Sequence, residues 1–128
     1  MTINNKQITN NKQPTNYKSN LEDRTMDFSK RIISFCRGLP RNNINNNLVN
    51  QLVRSGTSIG ANYREANDCL GKKDFVNRLR IARKEAKETS YWLELINEFN
   101  KTSEISWLIQ ETKELRNILS SIISKVFN

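Results

Sequence analysis

The sequence predicts an all-α chain folded as an antiparallel, up-down-up-down four-helix bundle. Three observations carry this. Apolar residues recur every three or four positions through four long segments, the breaks between those segments are short, and only 4 glycines and 2 prolines occur in 128 residues. Sheet-rich folds need more turn-forming residues than that. The length suits one domain that can bury a core without disulfides.

Residues 1–20 are rich in Asn, Thr and Lys and hold almost nothing able to anchor a core, so they read as a disordered basic tail, with the bundle spanning 21–128. Ser19 followed by Glu22 has the form of a capping box, after which Leu21, Phe28, Ile32, Phe35 and Leu39 recur at helical spacing. The first helix is therefore expected over about 20–38, ended by Gly38 and Pro40. An Asn-rich connection leads into a second helix over roughly 44–68, whose Leu48, Leu52, Ile59, Tyr63 and Ala66 share a face. Gly71 breaks the pattern. From Asp74 a third helix repeats every seven residues through Phe75, Leu79, Ala82, Ala86, Thr89, Leu93 and Ile96. After Lys101-Thr102-Ser103 the fourth continues with Ile105, Leu108, Thr112, Leu115, Leu119, Ile122 and Val126. At 1.5 Å per residue such helices make a rod roughly 35 to 40 Å long.

The net charge is +8, of which Lys6, Lys12 and Lys18 place +3 in the tail. The remaining +5 is spread over the helical part, a diffuse positive surface that suits nucleic acid or reflects basic composition alone. The longest apolar run is a few residues, no signal-peptide pattern opens the chain, and Cys36 and Cys69 are the only cysteines. The expectation is a cytoplasmic protein with free thiols and no membrane partner.

Several features exceed a plain leucine stripe. Gly56 and Gly60 lie inside the second helix, where each costs about 1 kcal/mol relative to alanine. With Ser55, Thr57, Ser58 and Ala61 they form a narrow waist, which either admits a neighbouring helix closely or weakens its own. Arg54, Ser58, Asn62 and Glu65 fall within about 80° of one another on a helical wheel and make a polar stripe. On the third helix Asp74, Arg78, Glu85, Glu88 and Trp92 make another, with Ile81 among them. Such stripes pair with each other between the helices, pair between subunits, or face solvent. The isoleucine and the tryptophan among the charges favour an interface, since solvated stripes seldom need them. The far face of the third helix carries Lys73, Arg80, Lys84, Lys87 and Tyr91, with Arg83 at its margin. Cations along one rod can track a phosphate backbone and an aromatic can add stacking; an ordinary solvated face is the plainer reading.

Catalysis finds little support. Histidine is absent, which excludes Ser-His and Cys-His nucleophilic pairs and the Glu-x-x-His signature of di-iron bundles. The two cysteines lack metal-site spacing, and Glu85 with Glu88, one turn apart on a charged stripe, suit a structural role better than an acid-base one. No cofactor and no enzymatic activity are expected.

Three stretches resemble a known family, the bacterial four-helix-bundle proteins first met as reading frames within intervening sequences of the large-subunit ribosomal RNA gene. They are Leu21-Glu22-Asp23-Arg24-Thr25-Met26-Asp27-Phe28, then Gln51 to Ala66 (QLVRSGTSIGANYREA), then Lys84-Glu85-Ala86-Lys87-Glu88-Thr89 with Tyr91-Trp92-Leu93. The resemblance covers residues 21 to about 125. It implies an antiparallel four-helix bundle and a ring-shaped homopentamer. A similar bundle is the accessory protein of diversity-generating retroelements, a positively charged pentamer that binds nucleic acid and the reverse transcriptase. The resemblance therefore implies a non-catalytic homo-oligomeric scaffold that binds RNA or DNA, or alternatively an adaptor that recruits another protein such as a polymerase.

Overall fold

The structure is a computed structural model that describes residues 17–127, with side chains from residue 20 onward. Four helices follow one another: α1 (Tyr17–Arg37), α2 (Asn43–Asn67), α3 (Lys72–Phe99) and α4 (Ser103–Val126). The expected tail lies outside the described residues up to residue 16. Its last four residues, 17–20, already belong to α1, so the helix begins ahead of the Ser19-x-x-Glu22 signal. No glycine or proline lies between Pro14 and Leu21 to stop it.

The other starts are capped as their sequences allow. Asn42 Oδ1 accepts the Asn45 backbone N–H at 2.8 Å, while Asn45 Nδ2 donates to the Pro40 carbonyl at 2.8 Å. The Asn-rich connection is thus tied down by its own side chains. Thr102 Oγ1 caps α4 by accepting from the Ile105 N–H at 3.3 Å. Helix α3 starts at Lys72, two residues before Asp74, which leaves the Asp74 carboxylate in the first turn where it complements the helix dipole.

Side-chain contacts fix the direction of every neighbouring pair. Between α1 and α2, Glu22 meets Asn67, whereas Ile32, later in α1, meets Gly56, earlier in α2. Between α2 and α3, Arg54 meets Glu85 and Glu88 while Asn62 meets Arg78. Arg83 meets Ser120 between α3 and α4, and Arg80 lies over Phe127. Arg24 meets Glu111 and Arg31 lies over Trp107 between α1 and α4. In each pair one number rises as the other falls. The helices therefore alternate up and down, α2 against α3 most extensively and α1 against α4 least.

The core follows the sequence periodicity. Leu21, Phe28, Ile32, Phe35 and Leu39 are buried, as are Leu52, Ile59, Tyr63 and Ala66, and the α4 series from Ile105 to Ile122. Phe75, in the first turn of α3, is only half-buried, and Val76 beside it is buried. Leu48 and Val126, near helix ends, are likewise half-buried. Thr25 was not on the expected apolar face. It is buried because its hydroxyl donates back to the Leu21 carbonyl at 2.9 Å, which satisfies it without water.

The glycines of α2 face α1. A methyl group on Gly60 would lie 2.9 Å from Thr25 Oγ1 and 3.0 Å from Thr25 Cβ, and one on Gly56 would lie 3.2 Å from Ile32 Cγ1. Helix α2 runs unbroken through both, so their role is close approach. The waist is shared out by direction: the glycines admit α1, while the Ser55 hydroxyl turns the other way and meets Thr89 of α3 at 3.0 Å inside the core.

Helix propensity alone makes Gly60→Ala stabilising by about 1 kcal/mol, whereas overpacking against a buried, hydrogen-bonded threonine costs about 1–3 kcal/mol. The expected outcome is a net destabilisation of about 1 kcal/mol, read as a lowered urea midpoint with an unchanged slope. A raised midpoint would show that α1 yields freely.

Candidate functional site

Two surfaces of α3 adjoin each other, a polar seam towards α2 and a cationic ridge facing outward. The seam is built on Arg54. Its Nη1 donates to Glu85 Oε1 at 3.3 Å, its Nη2 donates to Glu88 Oε2 and, at 3.4 Å, to Gln51 Oε1. Glu88 Oε2 also accepts from Trp92 Nε1 at 2.9 Å, which anchors the indole one turn further along α3. Towards the other end, Arg78 Nη1 donates to Asn62 Oδ1 at 3.0 Å, and Asn62 Nδ2 donates to the Ser58 carbonyl. Ser58 itself turns back to the Arg54 carbonyl at 2.6 Å. Glu65 and Asp74, predicted on the same stripes, are exposed.

The structure thus brings Arg54, Asn62, Arg78, Glu85, Glu88 and Trp92 together within a single chain. The sequence left interhelix and intersubunit pairing open and favoured the latter. These contacts supply the partners from the same subunit, because antiparallel α2 and α3 bring the two stripes to one shared edge. Ile81 is 40% exposed beside this seam. The carboxylates of Glu85 and Glu88 are both engaged by Arg54, so they serve as acceptors in a clamp.

Along the ridge, Lys73, Arg80, Lys84, Lys87 and Tyr91 are exposed. Two of the basic residues are partly occupied: Arg83 is half-buried and donates to Ser120 Oγ at 3.3 Å, and Arg80 lies 5.9 Å from the centre of the Phe127 ring. The Tyr91 and Trp92 rings meet edge to face, with centroids 5.0 Å apart and planes at 77°. Aromatic pairs favour this arrangement because the positive ring edge meets the negative face.

A second polar cluster escaped sequence reasoning. Arg24 of α1 forks across to α4, with Nε on Glu111 Oε2 at 2.7 Å and Nη2 on Glu111 Oε1 at 2.8 Å and on Glu114 Oε1 at 2.9 Å. Hydrogen bonding to Glu111 raises the Arg24 pKa beyond its already high ordinary value, while Gln110 and Arg24 hold the Glu114 carboxyl below the usual range. Nearby, the Arg31 guanidinium sits 4.1 Å above the Trp107 ring. The least packed seam of the bundle is therefore closed by charge and π contacts. Charged residues one turn from core positions, Arg24 beside Leu21 and Phe28 and Glu111 between Leu108 and Leu115, were the available signal.

Burial pushes the Cys36 thiol up to about 11, which keeps it protonated at neutral pH, and Cys69 Sγ turns to the Glu65 carbonyl. Among the described residues no group of three or more Cys, Asp or Glu side chains is arranged to hold a metal ion. None of the described helices is long and apolar enough to cross a membrane.

Arg54 is half exposed, so solvent screening limits its pairs to roughly 0.5–1 kcal/mol. Arg54→Ala should lower stability by about that amount at low salt, less at high salt, and leave the solution mass unchanged by light scattering. A smaller particle would return the stripe to the subunit interface.

The family of 23S rRNA-intervening sequence proteins matches the chain over residues 18–121. A crystal structure from Bacteroides thetaiotaomicron, of a protein with unknown function from the S23 ribosomal protein family, is 35% identical to it. The two superpose with a TM-score of 0.71, covering 80% of this chain and 96% of that one. No curated protein matches the chain.

Proposed function

This chain belongs to the 23S rRNA-intervening sequence protein family, and from that premise we propose that it is a non-catalytic homo-oligomeric scaffold, a pentamer, that binds RNA or DNA through its cationic helix faces. The observation that carries this reading is the α3 ridge. Lys73, Arg80, Lys84 and Lys87 project from one rigid rod on the side away from the core, and their acidic neighbours Glu85 and Glu88 are turned to the α2 seam and engaged there by Arg54. The sequence spacing puts acids and bases on one helix; the pairing separates them by face and leaves the outward field positive.

One copy of such a ridge offers few phosphate contacts. Assembly multiplies them, and a ring of copies gathers several ridges and several basic tails around one nucleic acid. Half-exposed apolar side chains on the outer surface, among them Met26, Ile33 and Ile81, provide area that such assembly would bury.

The adaptor reading has its own supporting observation. At the end of the bundle where the α1–α2 and α3–α4 connections meet, Ile44 is 73% exposed and Phe99 77% exposed. They flank a cavity of about 340 Å³ lined also by Pro40, Asn42, Asn45 and Asn100. An apolar patch of this kind suits a polypeptide partner better than a phosphate backbone. Capture of a protein that survives nuclease treatment, and that Ile44→Ser with Phe99→Ser abolishes, would favour this second reading.

For the scaffold, fluorescence anisotropy with a labelled oligonucleotide should show affinity falling steeply with salt. Lys84→Glu combined with Lys87→Glu should weaken binding at least about tenfold and flatten the salt dependence by roughly two contacts' worth. Light scattering should give a mass several times the 14.9 kDa of one chain. Absence of salt-sensitive binding to any RNA or DNA would end the scaffold reading, and a mass of one chain would end the assembly.

A further inference from the structure

We propose that the α3 ridge, continued onto the adjoining edge of α4, is a platform for single-stranded nucleic acid on which Tyr91 stacks an unpaired base. This rests on the nucleic-acid reading above and goes beyond it by naming the form of the strand and the residues that distinguish it.

The ring is the first observation. Tyr91 is 60% exposed, yet it is held on one side by the edge-to-face contact with Trp92. Trp92 is anchored by Glu88, and Glu88 is gripped by Arg54 of α2. Three interactions in series thus hold an aromatic group at the surface, where its burial contributes little to the core. A preordered exposed ring loses little conformational freedom when a flat partner docks on it. Bases in a duplex are already stacked on one another, so only an unpaired base can meet the ring.

The surrounding charge is the second observation. At 100° per residue, Lys73, Arg80, Lys84, Lys87 and Tyr91 fall within about 60° of one another, a line of roughly 27 Å along α3. Beyond Tyr91 the same side carries Glu94 and Glu98, both exposed, so the positive path stops there. Phosphates are drawn along the line up to the ring and repelled past it.

Helix α4 supplies a second bank of cations that the sequence did not connect with the first. The Arg83 to Ser120 hydrogen bond fixes the antiparallel register. Arg116 and Lys113 lie one and two turns before Ser120, within about 40° of it on the α4 wheel, on the side that faces α3. Counting back along the antiparallel pair sets Arg116 level with Lys87 and Lys113 level with Ser90, next to Tyr91. Arg116 is half-buried and Lys113 exposed. The ring is therefore flanked by cations from both helices at the height where a stacked nucleotide would carry its phosphate.

The test uses the full chain and fluorescein-labelled oligonucleotides of one sequence as single-stranded RNA, single-stranded DNA and duplex DNA. Wild type should bind the single strands more tightly than the duplex. Tyr91→Ala should weaken single-strand binding on the order of tenfold and change duplex binding less than about twofold, and Tyr91→Phe should restore the single-strand affinity. Lys113→Glu with Arg116→Glu should weaken single-strand binding, most at low salt, and flatten its salt dependence. Single-strand affinity unaffected by Tyr91→Ala, or a wild-type preference for duplex, would overturn the platform while leaving nucleic-acid binding intact. Loss of every form of binding in wild type would instead remove the reading beneath it. Equal, Tyr91-dependent binding of a polyglutamate peptide would make the ridge a site for acidic polypeptide and overturn the proposal as well.

Discussion

The register of α2 against α3 is the constraint on which the rest of this molecule depends. It is fixed at two depths. Inside the core, the Ser55 and Thr89 hydroxyls meet at 3.0 Å, and Thr89 Oγ1 also donates to the Glu85 carbonyl at 2.7 Å. At the edge of the same interface, Arg54 reaches Glu85 and Glu88. A shift of one helix along the other parts the two hydroxyls in the core and the charged groups at its edge together. The surface pairs alone are worth too little to hold that register, and the core pair alone would leave the charged stripes unmatched.

With α2 and α3 set, the remaining helices are positioned by different physics. Helix α1 approaches α2 at Gly56 and Gly60, where missing side chains let Ile32 and Thr25 come close, and dispersion over that contact offsets the propensity cost of the glycines. Helix α4 joins α3 through apolar packing with a polar margin at Ser120. The last seam, α1 against α4, is the least extensive and is closed by the Arg24 fork and by Arg31 over Trp107. The bundle is thus tight on three seams and polar on the fourth.

The same clamp governs the surface. By drawing Glu85 and Glu88 towards α2, Arg54 separates the charges of α3 into a neutralised seam and an outward cationic ridge, and by fixing Glu88 it fixes Trp92 and then Tyr91. Charge separation on one helix and orientation of an exposed ring therefore share a single cause. A solved relative at 35% identity shares the fold, while the arrangement of the ridge follows from this chain's own side chains.

The sequence by itself determined the four helices, their order and nearly all of the core, because helical periodicity is a local property that burial then follows. It also determined which residues form the stripes, since 100° per residue needs no knowledge of neighbours. Helix starts were less legible: α1 begins ahead of its capping signal and α3 ahead of Asp74, because no strong breaker stands in the way. Only the tertiary structure decided what each stripe faces. A wheel cannot tell whether Arg54 meets Glu88 of its own chain or of another, that Gly60 faces α1 while Ser55 faces α3, or that Arg24 bridges to Glu111 across 87 residues. Those outcomes depend on the relative rotation and register of the helices, which are set by how four apolar faces of unequal width close on one another rather than by any one of them.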